Sequence, residues 1–466
     1  MKNKYLSILF GGLIAISVGC KKDLDLQPTD TFNESNAFLT MTDLQYGANE
    51  AYARFGTYVN DMYVNALVSD EAKLGFDNSG QGALTFRYQY ASDATSGGDV
   101  TAAWGGYFSL IDQTNRVLAK VTTVSGDASE EPKRNIIKGQ MLAMRAIGHF
   151  GLLQAYCKNY EAADPLGVPV MLASNPLAKP ARKSMGEVMT QIEGDLNEAK
   201  TLLPDASSSF SDTAINKVNV AAFQARIALY KRDYEAAINY ATEVITSGVT
   251  SLASSGQFPG IWTDDNIYDE VLFRVRYATS TTVGGIWTTT GGNVYIAPSD
   301  KLVASYSTDD VRAASYIATD ASGKVYVNKF YSSSRGGRVV DLKAIRIAEM
   351  YLIRAEAHAK KATPDVTAGA ADLNTLRAAR ITGYTPASFP SATALAAAIV
   401  DERFKELAFE GFRFYDLKRN NLPVERLSSD ASPEWGTLPA GNYRFVLPIP
   451  NSELLANENM VQNGGY

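Results

Sequence analysis

The chain has 466 residues, of which 45% are hydrophobic and 20% are charged. This length and balance are typical of a globular protein with a large core, and they exclude a disordered or fibrous chain. The formal net charge of -6 and the lack of a basic stripe argue against nucleic acid as a partner.

The first 19 residues have the pattern of an export signal. Lys2 and Lys4 precede an apolar run from Leu6 to Val18, which is too short to cross a bilayer as a helix. The following SVGC resembles a lipobox, except that Ser17 stands where an aliphatic residue is usual. We expect cleavage before Cys20 and lipid attachment to its thiol, with a plain secretory signal as the alternative.

Residues 20–32 form a polar, Pro-containing tether, and we expect a single domain over 33–466. If Cys20 carries lipid, Cys157 has no cysteine left to pair with, so packing alone must hold this exported protein together. We expect Cys157 to be a small buried hydrophobic residue and not a catalytic thiol.

Helical spacing of apolar residues predicts core-facing helices over 42–55, 104–121 and 133–160. Residues 74–100 are rich in Gly, Ser, Asp and Tyr and contain the strand-like LTFRYQY. We expect an extended surface loop region there.

A helical repeat follows. Ser184 and Glu187 predict a capping box that opens a helix over 184–203. Residues 219–245 read as two amphipathic helices with a tight turn between them at 231–233, and they resemble a tetratricopeptide unit. Such a pair cannot bury its apolar faces alone and needs stacked neighbours. These are supplied by predicted helices at 133–160, 184–203, 341–361 and 366–380. The sequence therefore predicts a mainly α fold with a tetratricopeptide-like helical-repeat scaffold.

An irregular insertion is predicted at about 248–340. EVLFRVRY is strand-like, YIATDASGKVYVNKFY reads as a hairpin, and a Gly/Thr-rich loop carries Trp287 and Tyr295. Binding residues tend to lie in loops that a rigid scaffold displays. We expect this loop and short-strand insertion to face a ligand.

Aromatic side chains are the candidate binding groups. The chain has 25 Tyr, 19 Phe and 4 Trp, and a flat ring with a polar tip can stack on the apolar face of a sugar or contact a peptide. Tyr88, Tyr90, Trp287 and Tyr295 are predicted to bind ligand because they lie in loops outside helical periodicity. Local packing is the alternative for each of them.

Residues 391–420 have the apolar spacing of a long packed helix, which Gly411 ends or bends. Its acids permit two interpretations. Glu402 and Glu410 could form the carboxylate pair of a glycosidase, or they could belong to a structural ion network. We favour the network, because each acid has a helical Arg or Lys neighbour that lowers a carboxyl pKa.

Signatures of the commoner enzymes are missing from the sequence. His149 and His358 are the only histidines, and no His, Asp or Glu cluster has metal-ligand spacing. There is no Gly-rich phosphate loop, nucleophile elbow or calcium-binding loop. We therefore predict a protein that is not an enzyme, with no catalytic residue, no metal ligand and no cofactor.

Four segments near the C-terminus resemble one family. IVDERFKELAFEGFRFYDLKR closely resembles the C-terminal signature of the SusD/RagB family, which are outer-membrane lipoproteins that capture nutrients for a TonB-dependent transporter. RIAEMYLIRAEA, LNTLRAAR and the ending LPIPNSELLANENMVQNGGY extend the resemblance in the family's order.

The resemblance implies a surface-facing outer-membrane protein that is anchored by lipid at Cys20. It also implies that the protein captures an oligosaccharide, or less often a peptide, and delivers it to a SusC-like TonB-dependent transporter. The alternative is a tetratricopeptide-type scaffold that assembles an envelope complex without a ligand of its own.

Overall fold

A computed structural model describes residues 37–93, 95, 97–205, 210–263 and 269–466. The predicted signal peptide, the tether and Cys20 lie outside the described residues. Within the described ranges, no helix is both long and apolar enough to cross a membrane.

Helices dominate the chain, and the strands are short. The α-helices are α1 (Met41–Arg54), α2 (Tyr58–Val68), α3 (Ala83–Phe86), α4 (Gly98–Val121), α5 (Glu131–Tyr156), α6 (Met185–Leu202), α7 (Lys217–Lys231), α8 (Tyr234–Thr246), α9 (Phe258–Thr263), α10 (Asp300–Ser305), α11 (Val311–Tyr316), α12 (Ile347–Lys360), α13 (Val366–Arg380), α14 (Ala392–Glu406), α15 (Arg413–Arg419) and α16 (Asn451–Ala456). The strands are β1 (Ala72–Leu74), β2 (Val271–Val275), β3 (Ile296–Pro298), β4 (Ile317–Thr319), β5 (Val325–Val327), β6 (Ser332–Ser333), β7 (Gly336–Gly337), β8 (Leu342–Arg346), β9 (Val424–Glu425) and β10 (Thr437–Leu438).

The long helices stack on their neighbours in sequence. Helix α4 packs against α1 and α5, α5 packs against α6, and α7 packs against α8. Helix α12 then packs against α8, α13 and α14. Each helix thus buries its apolar face on the next, which confirms the mainly α, tetratricopeptide-like scaffold.

Local signals explain where several helices begin and end. Ser184 and Glu187 form the expected capping box at the start of α6. In the predicted tetratricopeptide unit, α7 ends at Arg232, which adopts a left-handed conformation, and the Asp233 carboxylate accepts the Ala236 N–H at the start of α8. The helix pair over 219–245 is therefore confirmed.

Residues 391–420 do not form one long helix. Helix α14 ends at Glu406, and α15 starts only at Arg413. Between them, Phe409 and Gly411 have φ values of +67° and +85°, which interrupt helical geometry. The Phe409 N–H is donated to the buried Glu71 carboxylate, so a tertiary contact replaces the helical hydrogen bond.

Two further secondary-structure predictions are wrong, one at its boundary and one in its type. The first residues of the helix predicted at 341–361 form β8, which pairs antiparallel with the fully buried β2. The strand-like LTFRYQY forms one helical turn, α3, and then a bend in which Tyr88 has a φ of +57°. By contrast, EVLFRVRY contains β2, and the hairpin formed by β4 and β5 is found as predicted.

A buried ion network ties the β2–β8 ladder to α14 and the turn after it. At its centre, the Arg346 guanidinium lies 2.5 to 2.9 Å from the carboxylates of Glu270, Glu406 and Glu410. Arg380 also binds Glu270 and Glu406, at 2.7 and 3.0 Å. The network joins segments that are far apart in sequence, and it supplies each buried carboxylate with a cation.

Candidate functional site

A surface cleft of about 740 Å³ opens beside the short β1–β3 ladder. Five parts of the chain meet there: the segment that follows β1, the segment that follows α3, the β4–β5 turn, strand β3 and residues 429–435. The lining residues that matter below are Phe76, Arg87, Gln89, Lys324, Glu434 and Trp435.

Phe76 is an aromatic side chain held out into solvent at this cleft. Its neighbours extend the pairing of β1 with β3, because the Gly75 N–H is donated to the Tyr295 carbonyl and the Asp77 N–H to the Val294 carbonyl. A Cβ at Gly75 would overlap the Val294 carbonyl oxygen, so only glycine permits this approach. With the backbone fixed on both sides, the Phe76 side chain remains 80% exposed.

Lys324, in the turn between β4 and β5, secures the same edge of the cleft. Its ammonium lies 2.8 Å from the Asp77 carboxylate and 5.0 Å from the centre of the Phe76 ring. The hydrogen bond from Lys324, followed by the Val294 N–H, lowers the pKa of the Asp77 carboxyl. Asp77 therefore stays ionised at neutral pH, and the turn is linked to the segment that carries Phe76.

Arg426 holds the wall of the cleft that residues 433–435 form. Its buried guanidinium donates hydrogen bonds to backbone carbonyls, namely those of Leu67, Ser69, Phe86 and Trp435. These contacts fix the 3-10 turn Pro433–Trp435 against the ends of α2 and α3. Trp435, which is half-buried, is thereby placed at the cleft.

Arg87 and Glu434 are charged residues of the cleft that form no ion pair within the described part of the chain. Both are exposed, and so is Gln89. A guanidinium donates hydrogen bonds, a carboxylate accepts them, and an amide does both, so these groups match the donors and acceptors of vicinal hydroxyls. Together with the Phe76 ring, the cleft offers an apolar face and polar groups within one surface.

Three of the four aromatics selected from the sequence lie in the core. The Tyr88 hydroxyl donates to the Val68 carbonyl at 3.1 Å, and the Tyr90 hydroxyl donates to the Arg444 carbonyl at 2.5 Å. Trp287 is 0% exposed. The three rings are packed in the core, as the local-packing alternative expects, and the prediction that they contact a ligand gains no support from the structure.

Trp287 is buried because its Gly/Thr-rich loop folds back onto the core. Its ring stacks on Phe330 with centroids 6.0 Å apart and meets the edge of Phe409 at 5.3 Å. Tyr295 is half-buried, and its carbonyl accepts the N–H of Gly75 beside the cleft. A role for Tyr295 in ligand binding stays a prediction.

Alternation in the LTFRYQY segment was the signal that could have located part of the cleft. Tyr88 and Tyr90 are buried. The residues that alternate with them, Arg87 and Gln89, are exposed and line the cleft. Phe76 has no comparable signal, because an isolated Phe beside Gly and Asp does not show which way its ring points.

Glu402 and Glu410 are both buried and do not flank a cleft. Burial alone would raise the pKa of Glu402, but the charges of Arg312, Lys405 and Arg377 lower it to about 2. Burial likewise opposes ionisation of Glu410, and Arg346 and Lys329 together more than offset it, so that the pKa of this carboxyl is also lowered. Both acids are ionised members of ion pairs, as the network interpretation expects.

Other reactive side chains also have structural surroundings. Burial lowers the pKa of His149 to about 4, and its Nε2 accepts the Met171 N–H at 3.2 Å. Cys157 is a free thiol in the core, as predicted, and burial raises its pKa to about 11. Across the described ranges, no three His, Cys, Asp or Glu side chains are grouped so that they could hold a metal ion.

Two family models match the chain over most of its length. One, described as the SusD family, covers residues 275–466, and the other, described as "starch-binding associating with outer membrane", covers residues 24–229. The chain belongs to the SusD/RagB family. The first match includes the β4–β5 turn and Trp435, and the second includes Phe76 and Arg87, so both halves of the cleft come from SusD-type sequence.

Individual SusD-type proteins are similar along the whole chain. SusD-like protein P2 of Formosa agariphila is 26% identical over 99% of this chain and 100% of its own length. A putative sugar-binding protein of Bacteroides vulgatus has the same fold, with a TM-score of 0.80, 24% identity and coverage of 92% of this chain and 99% of its own. A laminarin-binding SusD-like protein gives a TM-score of 0.72 at 21% identity, covering 92% of this chain and 100% of its own.

Proposed function

We propose that this protein binds an oligosaccharide at the Phe76–Trp435 cleft and delivers it to a SusC-like TonB-dependent transporter. The observation that carries the proposal is the exposed Phe76 ring beside Arg87 and Glu434. A pyranose has an apolar face and a rim of hydroxyls, so a fixed ring and nearby charged groups can bind both parts at once.

Membership of the SusD/RagB family supports the same ligand class. One matching family model is described as starch-binding, and two structures with the same fold are described as sugar-binding and laminarin-binding. We propose binding without catalysis, because the acids considered for glycoside hydrolysis are buried in ion pairs, with the pKa of each carboxyl lowered. A general acid would need a raised pKa.

The family assignment and the N-terminal sequence together support a location. We propose cleavage after residue 19, acylation of Cys20 and a tether over 20–32, which would attach the domain at 33–466 to the outer surface of the outer membrane. The segment at about 248–340 would be part of that domain, and it contributes Lys324 and Ala297 of β3 to the cleft. Tyr295 remains a candidate contact at its edge.

Saccharide binding can be measured by affinity electrophoresis in gels that contain laminarin or soluble starch, followed by calorimetry with the oligosaccharides of the polymer that retards the protein. We expect retardation by at least one neutral polysaccharide. Phe76→Ala should weaken binding by about 10-fold or more, because truncation of a fixed aromatic contact commonly costs over 1 kcal/mol.

Tyr46→Ala is the matched control, since Tyr46 is an aromatic residue on α1 with 66% exposure and does not line the cleft. It should bind as the wild type does. Binding of peptides instead of any saccharide, or equal affinities for Phe76→Ala and wild type, would contradict the proposed ligand site. Delivery is tested separately by co-purification of a TonB-dependent barrel from envelopes, with Cys20→Ser as the unanchored control.

A further inference from the structure

A second groove lies on another part of the surface and has no residue in common with the Phe76–Trp435 cleft. It consists of two adjoining hollows of about 860 and 590 Å³. The residues common to both hollows are Asn159, Glu161, Arg232 and Lys418. The groove therefore runs from the α6 start, past the α7–α8 turn, to the C-terminal segment.

Tyr443 supplies an exposed aromatic ring at one end of this groove. It is 41% exposed, and it belongs to the short 3-10 helix Tyr443–Phe445. The Tyr466 ring meets it edge-on at 5.2 Å, and the Arg444 guanidinium lies 4.8 Å from its centre. Because these contacts already hold the ring, the Tyr443 side chain would lose little conformational entropy when a ligand stacks on it.

Two cations of the groove form no ion pair with any carboxylate in the described part of the chain. Arg232 donates to the Arg419 carbonyl at 3.3 Å, and Lys418 donates to the Gln154 carbonyl at 2.9 Å. Burial lowers the pKa of the Lys418 ammonium to about 8. Hydroxyl oxygens of a ligand would provide further acceptors.

The backbone conformation of Arg232 is unusual for an arginine. Its φ of +63° is the left-handed conformation that ends α7, a position where glycine is strongly favoured. An arginine there costs of order 1 kcal/mol of backbone strain. Its side chain projects at the surface beside the exposed Glu161, which also forms no ion pair in the described ranges.

The amide of Asn421 completes the set. It lines the hollow next to Tyr443 and makes no side-chain hydrogen bond within the described residues. The groove thus repeats the chemistry of the first cleft: a fixed, exposed ring beside polar groups that have hydrogen-bonding capacity to spare. These groups carry both signs of charge, which fits a neutral polyhydroxylated ligand better than an anion or a cation.

We infer that this groove is a second saccharide-binding site, with Tyr443 as its stacking surface, so that one chain can engage a polysaccharide at two places. The inference rests on the proposed saccharide-binding function. A series of contacts links the two sites: Gln89 lines the first cleft, and the ring of the next residue, Tyr90, stacks on Tyr466 with centroids 6.3 Å apart. Tyr466 in turn contacts Tyr443.

Two sites on one chain raise the avidity for a polymer without changing the affinity of either site for a short ligand. Calorimetry with laminaritriose or maltotriose, whichever corresponds to the polymer that binds, should give two trisaccharides per wild-type chain. Phe76→Ala and Tyr443→Ala should each keep one site of wild-type affinity and weaken the other by about 10-fold or more, and the double variant should keep neither at wild-type affinity. Retention of Tyr443→Ala by the polymer should weaken by about 10-fold or more.

Arg232→Gly is a variant that should still fold, because glycine fits the left-handed conformation. Any loss of saccharide affinity in it is then due to removal of the arginine side chain. It should weaken the second site while leaving the melting temperature unchanged or higher. One trisaccharide per wild-type chain, with its affinity weakened in Phe76→Ala and unaltered in Tyr443→Ala and Arg232→Gly, would overturn this inference alone. Failure of wild type to bind any saccharide would overturn the proposed function as well. Binding of peptides from a casein peptone that is lost in Tyr443→Ala would overturn the inference too, because the groove would then be a peptide site.

Discussion

Replacing Arg346 by methionine should destabilise the protein more than any surface charge substitution. Arg346 is buried, and it neutralises the carboxylates of Glu270, Glu406 and Glu410 at 2.5 to 2.9 Å. Methionine fills much of the space but leaves part of this buried negative charge uncompensated. Breaking a buried pair in this way costs roughly 3–5 kcal/mol, a large fraction of the roughly 5–15 kcal/mol that stabilises a domain.

The loss should depend on pH in a defined direction. In the wild type, the pKa values of Glu406 and Glu410 are lowered. Burial opposes ionisation of both acids, but nearby cations more than offset it. Arg380 contributes most at Glu406, and Arg346 contributes most at Glu410. Their contribution to stability is therefore present above the unfolded-state pKa and is lost as the pH falls through the lower folded-state pKa. Without Arg346 the burial contribution weighs more, so the variant is penalised most at neutral pH and less near pH 5, where protonation begins.

Urea unfolding followed by tryptophan fluorescence at pH 7 and pH 5 measures both effects. Lys183→Met is the control, because its ion pair with Glu187 is exposed on both sides. Such pairs contribute about 0–1 kcal/mol. A cost below about 1 kcal/mol for Arg346→Met at pH 7, or a cost that grows as the pH falls, would refute the reasoning.

Three other substitutions separate fold from binding. Trp287→Ala should lower the free energy of unfolding by about 3–5 kcal/mol because it empties a core site, while the folded protein keeps its saccharide affinity in calorimetry; a selective loss of affinity would contradict the buried placement. Gly75→Ala should weaken saccharide binding, because its Cβ meets the Val294 carbonyl and moves the segment that carries the exposed ring; wild-type affinity would show that this approach is not needed. Arg426→Met should weaken both stability and affinity by releasing the Trp435 carbonyl, as unfolding and calorimetry would show; wild-type values in both would contradict its role.

Helices with strong periodicity were predictable from the sequence, and their interruptions were not. The capping box at Ser184 and the α7–α8 pair follow from local patterns alone. The break after Glu406 depends on a tertiary hydrogen bond from Phe409 to Glu71, which lies 338 residues away in sequence. Strand β8 forms where a helix was expected because β2 is available to pair with it. Long-range partners of this kind leave no periodic signal.

The binding cleft was less predictable than the fold for a related reason. Trp287 was predicted to bind ligand because it lies in a Gly/Thr-rich loop outside helical periodicity, yet that loop packs onto Phe330 in the core. Phe76 is exposed because the backbone on both sides of it is hydrogen-bonded to the segment before β3. That pairing joins residues more than 200 positions apart, and composition cannot show it.

The central claim is that a saccharide binds at the Phe76–Trp435 cleft. A crystal structure of the protein with the tightest-binding oligosaccharide tests it most directly. We predict a sugar ring packed against Phe76, with hydroxyls bonded to Arg87 or Glu434. A sugar bound elsewhere on the chain, with nothing at Phe76 under saturating conditions, would contradict the account.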